Sequence, residues 1–392
     1  MTSPATLRRP WLAAKARRKG ELAGVLIYEA WGEHEAILLR TRPEGRPVPE
    51  PEPSAVELFS PENPLRLESG EVLETVRVRY ETYGQLAAQA DNAIFVFHAL
   101  TGSAHLAGRY TPEALLRLSP LERAFGPIGW WDALVGEGRA IDTSRFFVIS
   151  ANVIGSCYGT TGPLEAGPDF PELTVRDMVK VHAALLDHLN IERVWALGGS
   201  LGGMQALEFA AGFPDRTRGL VAIAAPARHS PWARGLSRVG REAILRDPAF
   251  AGGHYQAQPP GLALAREIAM LSYRAPAGFA SRFGSNPEEG ERYLAHQGEK
   301  FIRRFDANSY LALTGAMDRH DLFGGRSQVE ASFPKLLVGI DSDLLYPASE
   351  VRELAQQLGA NYQEISSPFG HDGFLIENDQ MGTVLRRFLA SD

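Results

Sequence analysis

The sequence predicts an α/β fold: a mainly parallel sheet covered by helices on both faces, with a helical insertion in the second half of the chain. Three observations predict it. From about residue 74, runs rich in β-branched and aromatic residues alternate with segments of helical spacing, as strand–helix–strand crossovers do. Between about 228 and 325 the strand runs fade into Arg-, Ala-, Leu- and Tyr-rich sequence, and a strand run returns at 335. A serine flanked by glycines, Ser200, stands between an apolar strand run and a helical one.

Residues 1–60 are irregular in composition, include the run RPVPEPEP, and read as an N-terminal extension of uncertain structure. The segments VRVRYETYG (76–84), AIFVFHAL (93–100) and FFVISANVIG (146–155) follow as strands. From Thr174 to Leu189, apolar residues at Met178, Val179, Leu185, Leu186 and Leu189 mark a helix, opened by a capping-box pattern from Thr174 to Asp177. VWALGG (194–199) is the next strand, Leu201 to Ala211 the next helix, and GLVAIAAPA (219–227) another strand. KLLVGIDSD (335–343) then restores the sheet, with a helix near 348–358, a strand near 362–366 and a last helix near 377–390. The expected organisation is one core, residues 61–227 and 326–392, with residues 228–325 as a helical lid entering after the C-terminal end of a strand.

Composition narrows the function classes. The chain has 392 residues, 44% hydrophobic and 22% charged, enough to bury a large core without disulfides or a structural metal. Its 40 Lys and Arg against 47 Asp and Glu leave a net charge of −7, which argues against a nucleic-acid-binding face. Cys157 is the single cysteine, so no intrachain disulfide can form, and its simplest role is a small buried filler. The basic N-terminus lacks the apolar run of a signal peptide, and no stretch approaches the ~18 apolar residues of a spanning helix. The expectation is a cytoplasmic protein that needs no membrane.

The chemistry concentrates in LGGSLGGMQALEFA, residues 197–210. It contains G-x-S-x-G from Gly198 to Gly202 with a strand before and a helix after, the setting of a nucleophile elbow. The bend is so tight that positions flanking the serine must be small, and the helix N-terminus favours developing negative charge. A serine hydroxyl is a weak nucleophile and needs a base oriented by an acid, in chain order Ser, Asp or Glu, His. Asp343 ends the strand LLVGIDSD, with Asp341 as its rival two residues earlier, and His371 lies in the Gly-flanked loop SSPFGHDGF. Asp343 is preferred because it sits further into the loop. The oxyanion hole is expected from two backbone N–H groups, those of Leu201 and of Leu100 in HALTGSAH. There is no H-E-x-x-H, no paired Cys/His spacing, no phosphate loop and no dinucleotide fingerprint, so neither a metal nor a permanently bound cofactor is expected.

Longer motifs go further. HALTGSAH, GPLEAGPDFPELTVRDMVKVH, LGGSLGGMQALEFA, YLAHQGEKFIRRFDANSYLALTGAMDRHD, GIDSDLLYP and GHDGFL together resemble the homoserine O-acyltransferases of the α/β-hydrolase superfamily, from about residue 60 to the C-terminus. R-F-D-A-N-S-Y at 304–310 is especially specific. The resemblance implies an α/β-hydrolase fold and a ping-pong transfer from acyl-CoA to homoserine through an acyl-Ser200, in methionine biosynthesis. It also implies that Arg266 and Tyr273, in LALAREIAMLSYR, and Asp372 hold the amino acid. Arg266 suits a carboxylate and Asp372 an ammonium group. Acetyl-CoA is the family's commoner donor and the expected co-substrate, with succinyl-CoA as the alternative, and a homodimer through the lid helices is implied. Two departures stand out: the N-terminal 60 residues exceed the family core, and the polar segment after T-G-P in NVIGSCYGTTGPLEAG (152–167) is short, which leaves acyl preference open.

Competing readings share the triad. A carboxylesterase would use water as acceptor, but a transferase must exclude water from its acyl-enzyme, and the helical insertion favours the transferase. A serine O-acyltransferase differs by one methylene of acceptor, worth only ~1–3 kcal/mol of discrimination. A binding protein without catalysis would have no need of the Ser–Asp–His order.

Overall fold

The structure, a computed structural model, describes residues 17–22, 25–29, 50–326 and 332–390. The chain divides into two compact units, Met1–Pro47 and Val48–Asp392. In the first, Arg17–Leu22 and Val25–Glu29 pair as an antiparallel hairpin. The rest of the expected extension up to residue 49 lies outside the described residues.

In the second unit, eight strands among the described residues form one sheet. They are β1 (Ser54–Leu58), β2 (Val76–Tyr83), β3 (Ala93–Phe97), β4 (Phe147–Ala151), β5 (Val194–Gly199), β6 (Thr217–Ile223), β7 (Lys335–Ile340) and β8 (Asn361–Ile365). Their spatial order is β8-β7-β6-β5-β3-β4-β2-β1. All neighbours from β4 to β8 pair in parallel, and β2 runs antiparallel to both β1 and β4. Strand β1 falls inside residues 1–60, the stretch read as an extension. It is an edge strand entered directly from the Pro-rich run at Pro51 and Pro53, and prolines at an edge cost no ladder bonds.

The main helices are α1 (Val175–His188), α2 (Leu201–Gly212), α3 (Pro231–Leu245), α4 (Pro260–Tyr273), α5 (Pro276–Phe283), α6 (Pro287–Ile302), α7 (Ala307–Asp318), α8 (Ala348–Gln357) and α9 (Asn378–Leu389). Successive side chains of β3 alternate between two cores. Phe95 and Phe97 pack with α1, α2 and α8, while Ile94 and Val96 pack with α9 and the loop carrying Trp131, Leu134 and Ile141. With both faces covered, every residue of β3 and β5 is buried. Helix α1 opens on the capping box expected from Thr174 and Asp177.

Helices α3 to α7 run between β6 and β7. Four of them, α3 to α6, begin with proline, which presets the helical φ where no N–H partner is needed. Helix α3 packs on α4 and α4 on α6, and the end of α4 meets Gly370–Asp372. The α6–α7 junction reaches the loop after β3 through Arg304. This helical segment therefore touches two of the loops that carry the candidate chemistry.

Candidate active site

Ser200 turns the chain from β5 into α2 at φ 59° and ψ −125°, a backbone region that a non-glycine residue occupies only under strain of about 1–3 kcal/mol. Two bonds hold it there: Ser200 N–H donates to Ile223 O (2.9 Å), and Met204 N–H donates to Ser200 O (2.9 Å). The flanking glycines are steric necessities. A Cβ at Gly198 would lie 2.3 Å from Gly202 O, and one at Gly202 would lie 2.1 Å from Phe97 O. The elbow is thus pressed against the end of β3, and Ser200 is 5% exposed.

The structure joins Ser200, His371 and Asp343 in one hydrogen-bonded chain. His371 Nε2 is 2.8 Å from Ser200 Oγ, and His371 Nδ1 is 2.7 Å from Asp343 Oδ2. A carboxylate accepts at Nδ1, so the neutral ring carries its proton there and leaves Nε2 to accept from the serine. Asp343 Oδ1 in turn accepts from the N–H groups of Leu345 (2.8 Å) and Tyr346 (3.0 Å). Burial favours the neutral imidazole, but the charge and hydrogen bond of Asp343, with help from Asp372, prevail and raise the His371 pKa above 6.5. Rings of Tyr346, Tyr273 and Phe374 pack around the imidazole at centroid distances of 5.2, 5.8 and 5.8 Å.

Asp341, the rival carboxylate, does something else. It accepts from Ser366 Oγ (2.7 Å) and from Ser367 N–H (3.0 Å), tying the β7 loop to the β8 loop. Burial would raise its pKa, but these bonds, with one from the Ser342 backbone, hold it below the usual carboxylate value. No hydrogen bond or ion pair joins it to His371.

The loop after β3 lies beside the elbow. Leu100 and Leu201 are both buried, and the Leu201 N–H is among the leading amides of α2, which no intrahelical carbonyl can reach. Beneath them, Gln205 Nε2 donates to His98 O (3.2 Å) and Leu201 O (3.3 Å), and its Oε1 faces His182 Nε2 at 3.0 Å. Burial lowers His98 to about 4, and the neutral ring accepts from Val153 N–H at Nε2 (3.1 Å). Sequence reasoning missed Gln205, since nothing local distinguishes it from any polar residue on a helix.

Arg266 and Tyr273 come from α4. The Arg266 guanidinium lies 5.6 Å from the Tyr273 ring centroid and 5.1 Å from that of Phe301. Among the described residues no carboxylate comes within ion-pairing distance of it. Burial and then the nearby Arg304 charge lower its pKa, yet an arginine stays cationic. Asp372, 8% exposed, already pairs with Arg274 Nη2 at 3.3 Å, a partner that sequence reasoning did not find. Arg304, likewise unforeseen, bonds to Thr101 and Tyr158. Cys157 is buried, and burial pushes its thiol pKa up, away from reactivity. Among the described residues, no group of three or more His, Cys, Asp or Glu side chains is arranged to hold a metal ion, and no helix is long and apolar enough to cross a membrane.

An oriented serine–histidine–aspartate chain, with the Tyr273 ring between its histidine and a guanidinium that has no ion-pair partner among the described residues, can perform acyl transfer on a substrate bearing a carboxylate. Comparison with known proteins agrees with that chemistry. The α/β hydrolase fold family matches residues 92–377. A homoserine O-acetyltransferase of Thermus thermophilus is 54% identical over 378 residues, covering 93% of this chain and 99% of the relative. The crystal structure of homoserine O-acetyltransferase from Bacillus anthracis superposes with a TM-score of 0.76 at 25% identity, over 87% of this chain and 98% of that one. Esterase E22 superposes equally well, with a TM-score of 0.75 at 24% identity over 86% of this chain and 100% of that one, so the fold alone does not choose the acceptor. The chain belongs to the homoserine O-acetyltransferase family, on the α/β-hydrolase fold.

Proposed function

We propose that this protein transfers an acetyl group from acetyl-CoA to the side-chain hydroxyl of L-homoserine in two half-reactions through Ser200. His371 Nε2 takes the Ser200 proton as Oγ attacks the thioester carbonyl. Asp343 keeps the ring in the required tautomer and stabilises the imidazolium. The N–H groups of Leu100 and Leu201 receive the tetrahedral oxyanion, each contributing about 3–4 kcal/mol to lowering the barrier. The tetrahedral adduct collapses, the C–S bond breaks, and His371 returns the proton to the departing CoA sulfur. In the second half, His371 takes the proton of the homoserine hydroxyl as its oxygen attacks the acetyl-serine. Collapse then returns the proton to Ser200 and releases O-acetylhomoserine.

The observation that carries the acceptor assignment is the Arg266 guanidinium, unpaired among the described residues and one ring, that of Tyr273, away from His371. A half-buried cation without an ion-pair partner is costly, and a bound α-carboxylate would supply the missing partner. The Asp372 carboxylate, already paired with Arg274, would also accept from the ammonium group, and Tyr273 stands between Arg266 and His371. An esterase has no need for such a cation. Succinyl-CoA and serine remain the alternatives for donor and acceptor. The relatives' name favours acetyl and homoserine, and with that pair the reaction would stand early in methionine biosynthesis, in the cytoplasm.

A homodimer through the helical segment fits its surface. Trp232 and Val239 on α3 and Leu264 and Leu271 on α4 are exposed, each pair seven residues apart and so on one helix face. To test the covalent step, the protein is incubated with acetyl-CoA without acceptor and the peptides are weighed. A gain of one acetyl group on the peptide containing Ser200, removed by homoserine, is expected. An unmodified Ser200 under active turnover would remove the two-step reading.

A further inference from the structure

We infer that Arg304 is a positioning residue for acyl transfer: from the α6–α7 junction it grips the Thr101 carbonyl and so fixes the Leu100 N–H in the oxyanion hole. The inference rests on the acyl-transfer reading above and deepens it. The loop after β3 is anchored at its first residue from below, where Gln205 donates to His98 O (3.2 Å) and Val153 N–H donates to the His98 ring (3.1 Å). Gly102 N–H donates to Ala99 O (2.9 Å), closing a turn around Leu100. At the far end, Arg304 Nη1 donates to Thr101 O at 3.1 Å, and Nη2 lies 3.4 Å from Thr101 Oγ1. The same Nη1 donates to Tyr158 OH at 2.8 Å.

Arginine suits this task and lysine does not. One planar fork spans Thr101 and Tyr158 while its faces lie 5.1 Å from the Phe301 ring centroid and 5.4 Å from that of Phe125. Arg304 differs from Arg266 in how its donors are used. Arg266 makes no hydrogen bond among the described residues and stands ready for a substrate, whereas Arg304 spends its donors on a main-chain carbonyl one residue from Leu100. Its charge is not cancelled by a carboxylate among the described residues, so it also favours negative charge developing nearby. The contact bridges 203 residues of sequence, linking the helical segment to the proposed oxyanion hole.

The test uses the full chain with Arg304→Met, Arg304→Lys and Tyr158→Phe. Acylation is followed by the burst of nitrophenol from p-nitrophenyl acetate, which needs no acceptor. Affinity for methylboronic acid, whose serine adduct is tetrahedral, is measured alongside the KM for homoserine and the melting temperature. Arg304→Met is expected to slow the burst about 100-fold and weaken boronate binding in parallel, with homoserine KM held within about twofold. Arg304→Lys recovers part of both losses. Tyr158→Phe, which removes one hydrogen bond and keeps the fold, costs about two- to tenfold in both. A rise in homoserine KM with an unchanged burst would make Arg304 a substrate anchor and overturn the inference, as would wild-type burst and boronate affinity in folded variants. If Arg304→Met does not fold, the other two variants decide. A wild-type burst without homoserine transfer would remove the acceptor assignment alone, whereas absence of any burst in the wild type would remove both readings.

Discussion

Replacing Arg266 with methionine should separate function from stability. The guanidinium is half-buried between the rings of Tyr273 and Phe301 and has no carboxylate partner among the described residues. Its two stacking contacts stabilise by about 0.5–2 kcal/mol, whereas taking an unpaired cation out of water costs several kcal/mol before relaxation. Methionine fills similar space against aromatic rings without that cost. The folded protein should therefore keep or raise its melting temperature. Function should move the other way. Losing a charge-assisted partner for the substrate carboxylate costs about 2–5 kcal/mol, or roughly 30-fold to several-thousand-fold in kcat/KM for homoserine. Acetylation of Ser200 by acetyl-CoA without acceptor should proceed near the wild-type rate, because the carboxylate takes no part in it. Stopped-flow thiol release measures the first half-reaction, steady-state kinetics over homoserine the second, and a thermal melt the stability. Equal loss in both halves with a lower melting temperature would refute the assignment and make Arg266 a structural residue.

Other consequences follow from the same geometry. Because Asp343 and Asp372 raise the His371 pKa, and the base must be neutral, acylation should fall as pH drops through a value above 6.5; Asp343→Asn should move that limb to lower pH while cutting kcat by about 10⁴, read in a pH–rate profile. The same raised pKa favours the folded state below the unfolded value near 6.5, and this increment is lost as pH rises through the folded pKa. Asp341→Asn, by contrast, should leave the pH limb in place and cost about 1–3 kcal/mol of stability through the freed Ser366 and Ser367 partners, measured by denaturant titration. Gly202→Ala puts a methyl group 2.1 Å from Phe97 O and should destabilise by at least about 1–3 kcal/mol while abolishing acylation. Trp232→Asp combined with Leu271→Asp should shift a dimer to monomer in sedimentation, with the acylation burst unchanged.

What was legible in the sequence is what is local. The elbow reads directly, since Gly198, Ser200 and Gly202 meet one another within five residues, and the strand before and helix after have strong periodicities. Asp343 could be preferred over Asp341 because the later carboxylate lies further into the loop; the structure ends β7 earlier than the sequence run, at Ile340, and the hydrogen bonds then separate the two. Strand β1 escaped notice because its five residues, SAVEL, follow a proline-rich run and take their stability from pairing with β2. Arg274 and Gln205 carried no local signal at all, and Arg304, though it opens the R-F-D-A-N-S-Y motif, gave no sign of its role. Their partners Thr101, Asp372 and His98 lie far away in sequence, and only the folded sheet and the helices over it bring them together.

The central claim is acyl transfer to homoserine through Ser200, and the most direct measurement is acceptor-dependent thiol release. Purified protein is mixed with acetyl-CoA or succinyl-CoA, each with homoserine, with serine or with no acceptor, and free CoA is followed with time. Sustained release is expected with acetyl-CoA and homoserine, reduced by roughly 10–200-fold in catalytic efficiency with serine, and absent in Ser200→Ala. Release at the same rate with and without acceptor would mean that water accepts the acyl group, and the esterase reading would replace the transferase.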